Sequence, residues 1–332
     1  MAILLSDLLK KLPPNTEERV KKAKDRWNKK IREALRRETR LSLHRRDDFT
    51  SKDEIITIPI TVCPGLPDEL QPLNRKIADE YELALLLAPH RQIITDLANS
   101  GQSTTDYILP VLARSKFSSI LPQNIGGELI SVRRFAEFLF AQLKTFDLAE
   151  FILSVNKDVL GVYRYKCQNR FDDPQPRIEL YWGVIGLIAR DLAIDPEHLT
   201  CVVLAHELAH GYTHVGSDAD DQYWNTNAFH NSKDEVVEGL AQYYAWLVCK
   251  RIDESLSGVL KAYESLLDKQ HGPYRAHEPW VKDFTPEHVR LAMLHTRRDR
   301  PVIDVDFFTN ALESAKAQLP TAARVGAAMQ DF

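Results

Sequence analysis

The sequence predicts an α+β fold, mostly helical, with a small sheet and one helix apolar almost all round. Three observations predict it. Apolar residues recur at helical spacing over several long segments, among them 131–146 and 236–248. Only three short runs are rich in β-branched and aromatic residues, at 55–62, 159–165 and 178–182. The chain of 332 residues is 44% hydrophobic and 27% charged, the balance of a soluble globular protein with ample core for one large or two ordinary domains.

The elements follow in chain order. Residues 1–46 hold 15 Lys/Arg against 6 Asp/Glu, a charge of +9, which leaves −13 for the rest of a chain whose net charge is −4. This arm reads as one long helix after Pro13-Pro14, with Asn15 as cap and Glu18 closing a capping box. Val20, Ala23, Trp27, Ile31 and Ala34 make a narrow apolar stripe, expected to dock the helix on the more acidic body. The basic face permits nucleic-acid contact, but a single Trp27 makes no base-stacking platform, so that partner is not favoured. Residues 55–62 form a β-rich run with Pro59 at an edge or break. Residues 68–99 and 104–114 read as helices, 121–127 as a loop, and 131–146 as an amphipathic helix capped by Ser131. Strands at 159–165 and 178–182 flank a loop from Asn169 to Pro176, and a short helix at 183–192 follows. Three further helices are expected at 253–269, 286–297 and 305–318, the second with Thr285 and Pro286 as its cap signature. The expected divisions are a basic helical arm at 1–48, a mainly helical region at 49–150 packing on the main body, and a domain at 151–332.

The most informative stretch is Val203-Leu-Ala-His206-Glu207-Leu-Ala-His210-Gly-Tyr212, an H-E-x-x-H sequence. Asp195 as N-cap, Pro196 at the first helical position and Glu197 in the first turn start the helix that carries it. Histidines four apart project from one helical face, so His206 and His210 can reach one divalent ion. Glu207 then lies beside the ion, where it can act as general base toward water. Burying two histidines and a glutamate on an otherwise apolar helix is costly without such a partner.

Catalytic zinc usually takes three protein ligands and keeps one position open. A metzincin places its third histidine six after the second, but this chain has Gly216 there, and Thr213 stands where that class has glycine. His214 lies one turn further along the helix, suited to a pocket role. The expected third ligand is Glu238, set into an apolar helical face at 237, 241, 244 and 245, with Glu235 as its rival or as an acceptor behind a ligand histidine.

H-E-x-x-H followed by Glu238-Gly-Leu-Ala resembles the gluzincin pattern of zinc metallopeptidases. The 27 residues between His210 and Glu238, and the frame Glu238-x-x-Ala241-x-x-Tyr244-Ala245, are most similar to the ImmA/IrrE-type zincins. The resemblance covers about residues 180–245, a fifth of the chain. It implies a zincin-like metallopeptidase domain, Zn²⁺ on His206, His210 and Glu238, Glu207 as base, and a protein or peptide substrate. Gln242 departs from the aspartate some gluzincins carry there, and no helix-turn-helix of the repressor-cleaving relatives is evident.

In a zincin one sheet edge borders the cleft, and the strand ending at Trp182 is expected to be that edge. Asp218, Asp220 and Asp221 are expected in a solvated turn, since no EF-hand pattern surrounds them. An oxyanion donor is needed, and His230, Tyr243, His271, Tyr274, His277, Arg290 and His295 are the candidates. Cys63, Cys167, Cys201 and Cys249 lack paired spacing, with Cys201 and Cys249 expected in the core, as in a reducing cytosol. No apolar run is long enough to span a membrane, and the N-terminus lacks the basic region and cleavage site of a signal peptide. A cytoplasmic zinc hydrolase is therefore expected. The alternatives are a zinc-fold scaffold whose basic arm binds nucleic acid or a partner, and a structural metal protein without turnover.

Overall fold

A computed structural model describes residues 9–10, 12–46, 53–70, 90–103, 124–144, 148–154, 159–165, 176–299 and 302–319. In chain order the elements are α1 (Thr16–Thr39), β1 (His44–Arg46), β2 (Asp53–Ile55), β3 (Ile60–Cys63), α2 (Arg91–Ser103), α3 (Ile125–Lys144), α4 (Leu148–Leu153), β4 (Gly161–Arg164) and β5 (Arg177–Tyr181). They continue as α5 (Trp182–Asp191), α6 (Pro196–Val215), α7 (Thr226–Asn231), α8 (Asp234–Ile252), α9 (Val259–Leu267), α10 (Glu278–Asp283), α11 (Pro286–Asp299) and α12 (Val305–Gln318). The fold is α+β and mostly helical. No described helix is long and apolar enough to cross a membrane.

By its contacts the chain divides into two compact units. Met1–Lys11 and Leu70–Ile152 form one unit, and Leu12–Glu69 with Leu153–Phe332 form the other. In the first unit α2 packs on α3. The helix α3 begins at Ile125, inside the expected loop, so Ser131 is no cap: its hydroxyl donates back to the Gly127 carbonyl at 2.8 Å. Residues 71–89 and 104–114, where further helix was expected, and 121–123 of the expected loop lie outside the described residues.

In the second unit α1 is docked by its apolar stripe, as its sequence predicts. Val20, Ala23, Trp27, Ile31 and Ala34 are all buried, and α1 packs along α6 and α8. Polar contacts fix its register. Arg19 Nη2 lies 2.7 Å from both carboxylate oxygens of Asp195, while Trp27 Nε1 donates to Glu197 at 2.9 Å. Much of the basic face is spent within the molecule: Lys21 pairs with Glu17, Lys22 with Glu18, and Arg26 with Glu197. The expected capping box is not formed. Asn15 makes no side-chain cap bond, and the Thr16 hydroxyl donates to the Pro13 carbonyl at 2.7 Å instead.

The main sheet runs β3-β5-β4, with β5 parallel to β3 and antiparallel to β4. The strand β5, expected to be the edge beside the cleft, is therefore central. Its alternation explains this: Ile178 and Leu180 are buried on the face toward the helices, and Glu179 on the other face pairs with Arg164 and Arg177. Of the two outer strands of the described sheet, β3 and β4, β4 packs on α6.

The helix α6 is the centre of the unit. Every residue from Leu199 to Val215 is buried, as expected of a helix apolar on all sides. Its start is well made: the Asp195 carboxylate accepts from the Glu197 N–H at 2.7 Å and Pro196 occupies the first turn. Cys201 and Cys249 are buried free thiols among these core helices.

Candidate metal centre

His206 and His210 stand one turn apart on α6, and Glu238 is carried by α8, which packs along it. Their distal atoms converge. His206 Nε2 is 3.1 Å from His210 Nε2, and Glu238 Oε2 is 3.2 Å from the first and 3.3 Å from the second. Among the described residues these three form a group whose ligating atoms could hold one metal ion. The donor set fits zinc. Bonds of roughly 2.0–2.1 Å at tetrahedral angles put donor atoms about 3.3 Å apart, and the observed triangle has nearly those edges. Two neutral imidazoles and one carboxylate are the donor types such an ion takes, and both histidines are buried.

Glu207 is 1% exposed and points to the sheet side of α6. It lies against Gly161 of β4 so closely that a Cβ there would stand 2.8 Å from Glu207 Cγ and 2.9 Å from its Oε1. Glycine allows β4 to meet the carboxylate. A recess opens beside Glu207 and His206, with walls from Leu153, Val159, Leu160, Val203 and Leu266.

The rival residues go elsewhere. Glu235 is exposed one turn before Glu238 and lines a surface groove with Asp234, Asp304 and Asp306. His214 is buried below the centre, its Nδ1 3.0 Å from the Tyr163 hydroxyl and its Nε2 3.1 Å from the Thr226 hydroxyl. At Gly216 the helix ends, and a Cβ would lie 2.3 Å from the Tyr212 carbonyl oxygen. The expected solvated turn is corrected at Asp218, which is buried and paired with Arg297 at 3.4 Å and Arg298 at 2.6 Å. Asp220 and Asp221 are exposed.

Of the oxyanion candidates, Tyr274 lines the recess, its ring 6.0 Å from that of His206. His277 is buried against the Tyr263 hydroxyl at 2.7 Å, and burial lowers its pKa from 6.5 to about 4. Tyr243 packs on Tyr244 and Trp246, and Arg290 pairs with Glu287 at 3.7 Å. His230, His271 and His295 are exposed.

Sequence reasoning missed Gly161 and Tyr163. The Tyr163 ring stacks on that of His210, centroids 6.2 Å apart and 15° between planes, and burial pushes its hydroxyl pKa well up. The strand period puts residues 161 and 163 on one face, a signal legible in the sequence, but not that this face meets α6. Gln242, noted in the sequence only for standing where some gluzincins have aspartate, and Gln270, which was missed, line the recess as a bonded pair.

Comparison of the chain with known protein families, with characterised proteins and with solved structures yields no match.

Proposed function

We propose that this chain is a zinc-dependent metallopeptidase with a zincin-like catalytic domain, hydrolysing peptide bonds of a protein or peptide substrate. The observation that carries the reading is the convergence of His206, His210 and Glu238 at zinc-like spacing, with the buried Glu207 carboxylate beside them. The resemblance of His206–His210 and Glu238–Ala245 to the gluzincins, nearest in spacing to the ImmA/IrrE type, supports the same reading. The free cysteines suit a cytoplasmic setting.

Zinc, when held by these three residues, supplies the positive charge that polarises a scissile carbonyl and acidifies water. The protein's own part is proton transfer and positioning. Glu207 accepts a proton from the attacking water as its oxygen bonds to the carbonyl carbon. It then delivers that proton to the amide nitrogen as the C–N bond breaks. Tyr274 is the donor assigned to the developing oxyanion. An extended substrate adds to β4, an outer strand of the described sheet that runs beside Glu207 at Gly161, through main-chain hydrogen bonds.

The test is Glu207→Gln in zinc-reconstituted protein, assayed on a proteome-derived peptide library. Zinc content is expected to stay at one per chain while hydrolysis drops by ~10²–10⁴-fold. Wild-type turnover in that variant, or wild-type protein that takes up no zinc, would refute the reading.

A further inference from the structure

Tyr274, whose ring is 6.0 Å from that of His206, stands on a short 3₁₀ turn after α9, Gly272–Arg275. A turn this short has too few hydrogen bonds of its own to fix where a side chain stands. It is tied down from outside. His277 Nδ1 lies 3.0 Å from the Tyr274 main-chain oxygen, and its Nε2 lies 2.7 Å from the Tyr263 hydroxyl of α9. The same hydroxyl reaches the Gln242 main-chain oxygen of α8 at 3.4 Å, one turn beyond Glu238. Tyr263 and His277 are both buried, so water does not compete for these bonds. Burial also keeps the His277 ring neutral, its pKa lowered to about 4. The partners then fix the tautomer. A carbonyl oxygen only accepts, so the proton is on Nδ1 and points at Tyr274, while Nε2 accepts from the Tyr263 hydroxyl. Past the turn the chain packs on α8 beside Glu238. A Cβ on Gly239 would stand 2.6 Å from Trp280 Cη2 and 3.3 Å from the Ala276 Cβ.

We propose that His277 is a positioning residue: by joining the Tyr274 carbonyl to the Tyr263 hydroxyl it holds the turn against α8 and keeps Tyr274 beside His206. The inference rests on the peptidase reading for the task of Tyr274, donation to the oxyanion, and on the contacts above for the hold of His277 upon it. His277 itself touches no reacting atom. A donor aimed at the oxyanion acts in the transition state and little in substrate binding, so losing its aim lowers kcat more than it raises KM.

The test uses the full-length protein with fluorotyrosine in place of tyrosine and Co²⁺ in place of zinc. The Tyr274 fluorine line is assigned by its loss in Tyr274→Phe. A paramagnetic ion on His206, His210 and Glu238 displaces that line by an amount that falls steeply with distance, so the line reports where Tyr274 stands and needs no substrate. His277→Gln offers the Tyr263 hydroxyl an acceptor but leaves the Tyr274 carbonyl without a donor, and should lose most of the displacement. His277→Asn, with an N–H near the Nδ1 position, and Tyr263→Phe, which keeps the imidazole, should lose less. On any peptide the wild type cleaves, His277→Gln should lower kcat by about 100-fold with KM near wild type. In the Tyr274→Phe background the same change should lower it no further. A wild-type Tyr274 line in whichever of His277→Gln and Tyr263→Phe folds overturns the proposal, as does a rate loss that persists in full without the Tyr274 hydroxyl. Protein that takes up no Co²⁺ overturns the peptidase reading and this inference with it. Protein that shows the expected displacements yet cleaves no peptide supports the hold of His277 and counts against the peptidase reading alone.

Discussion

Gly161→Ala perturbs the site through one methyl group. Its Cβ would stand 2.7 Å from Val203 Cγ1, 2.8 Å from Glu207 Cγ and 2.9 Å from Glu207 Oε1. Carbon contacts settle near 3.5–4.0 Å, so something must move by about 0.7 Å. The strand cannot retreat freely, because β4 is paired to β5 from Gly161↔Leu180 to Arg164↔Arg177. Val203 and Glu207 Cγ are close to the α6 backbone, which is buried throughout this stretch. The Glu207 carboxylate, the far end of its side chain, is the group that gives way. Overpacking of this kind costs about 1–3 kcal/mol, a fall in Tm of roughly 2–12 °C for a unit of this size. Displacing a catalytic group by close to 1 Å costs about 100-fold in rate. None of the ligating atoms of His206, His210 or Glu238 is among the atoms this Cβ would meet first. Gly161→Ala is therefore expected to keep its zinc, melt a few degrees earlier and lose about 100-fold in kcat on any peptide the wild type cleaves. Chelator titration, a thermal melt and steady-state kinetics read the three effects. A variant with wild-type kcat would refute the placement of Glu207 as the base, and one that loses zinc would show that the distortion runs through the ligands.

Further outcomes follow from the same geometry. Glu238→Gln should weaken zinc binding strongly in competition with a chromophoric chelator, whereas Glu235→Gln, altering an exposed carboxylate outside the donor triangle, should leave affinity near wild type. Asp218→Asn removes the carboxylate facing the buried Arg297 guanidinium and should cost about 3 kcal/mol, measured by denaturant unfolding. Burial raises the Asp218 pKa, but hydrogen bonds from Arg298 and the Gln222 and Asp220 amides outweigh it, so the folded value lies below 3.8. Its stabilisation is present above that pH and lost as pH falls through the folded value, and the Asn variant should lack this acid loss in a melt-versus-pH series. His277, neutral in the fold down to about pH 4 because it is buried, takes a proton in the unfolded chain from about 6.5. Wild-type stability should therefore fall by ~3 kcal/mol between pH 6.5 and 4, and His277→Gln should flatten that limb.

Much of the candidate site was legible because it is local. The spacing of His206 and His210 guarantees a shared face once the helix exists, and Asp195-Pro196-Glu197 states where it starts. Glu238 was legible by its cost, a carboxylate in an apolar stripe. The stripe from Val20 to Ala34 likewise announced a docked helix. Local signals also misled where two partners compete. Asn15 and Glu18 match a capping box, but the Pro13 carbonyl takes the Thr16 hydroxyl and Glu18 pairs with Lys22. Asp218 sits in an acidic run that reads as solvated, and two arginines 79 and 80 residues away draw it inside.

By itself, then, the sequence determined the α+β, mostly helical class, the buried helix with its two histidines on one face, and the glutamate that meets them. These rest on periodicity, capping and the expense of burying charge, all of which act within a few turns of chain. Only the tertiary structure decided that β4 and not β5 is the outer strand beside Glu207, that Gly161 is the contact between them, and that Gln242 meets Gln270 across the recess. Strand order and contacts between distant segments depend on which faces pack together, and a pattern of alternating residues carries the same face whichever neighbour covers it.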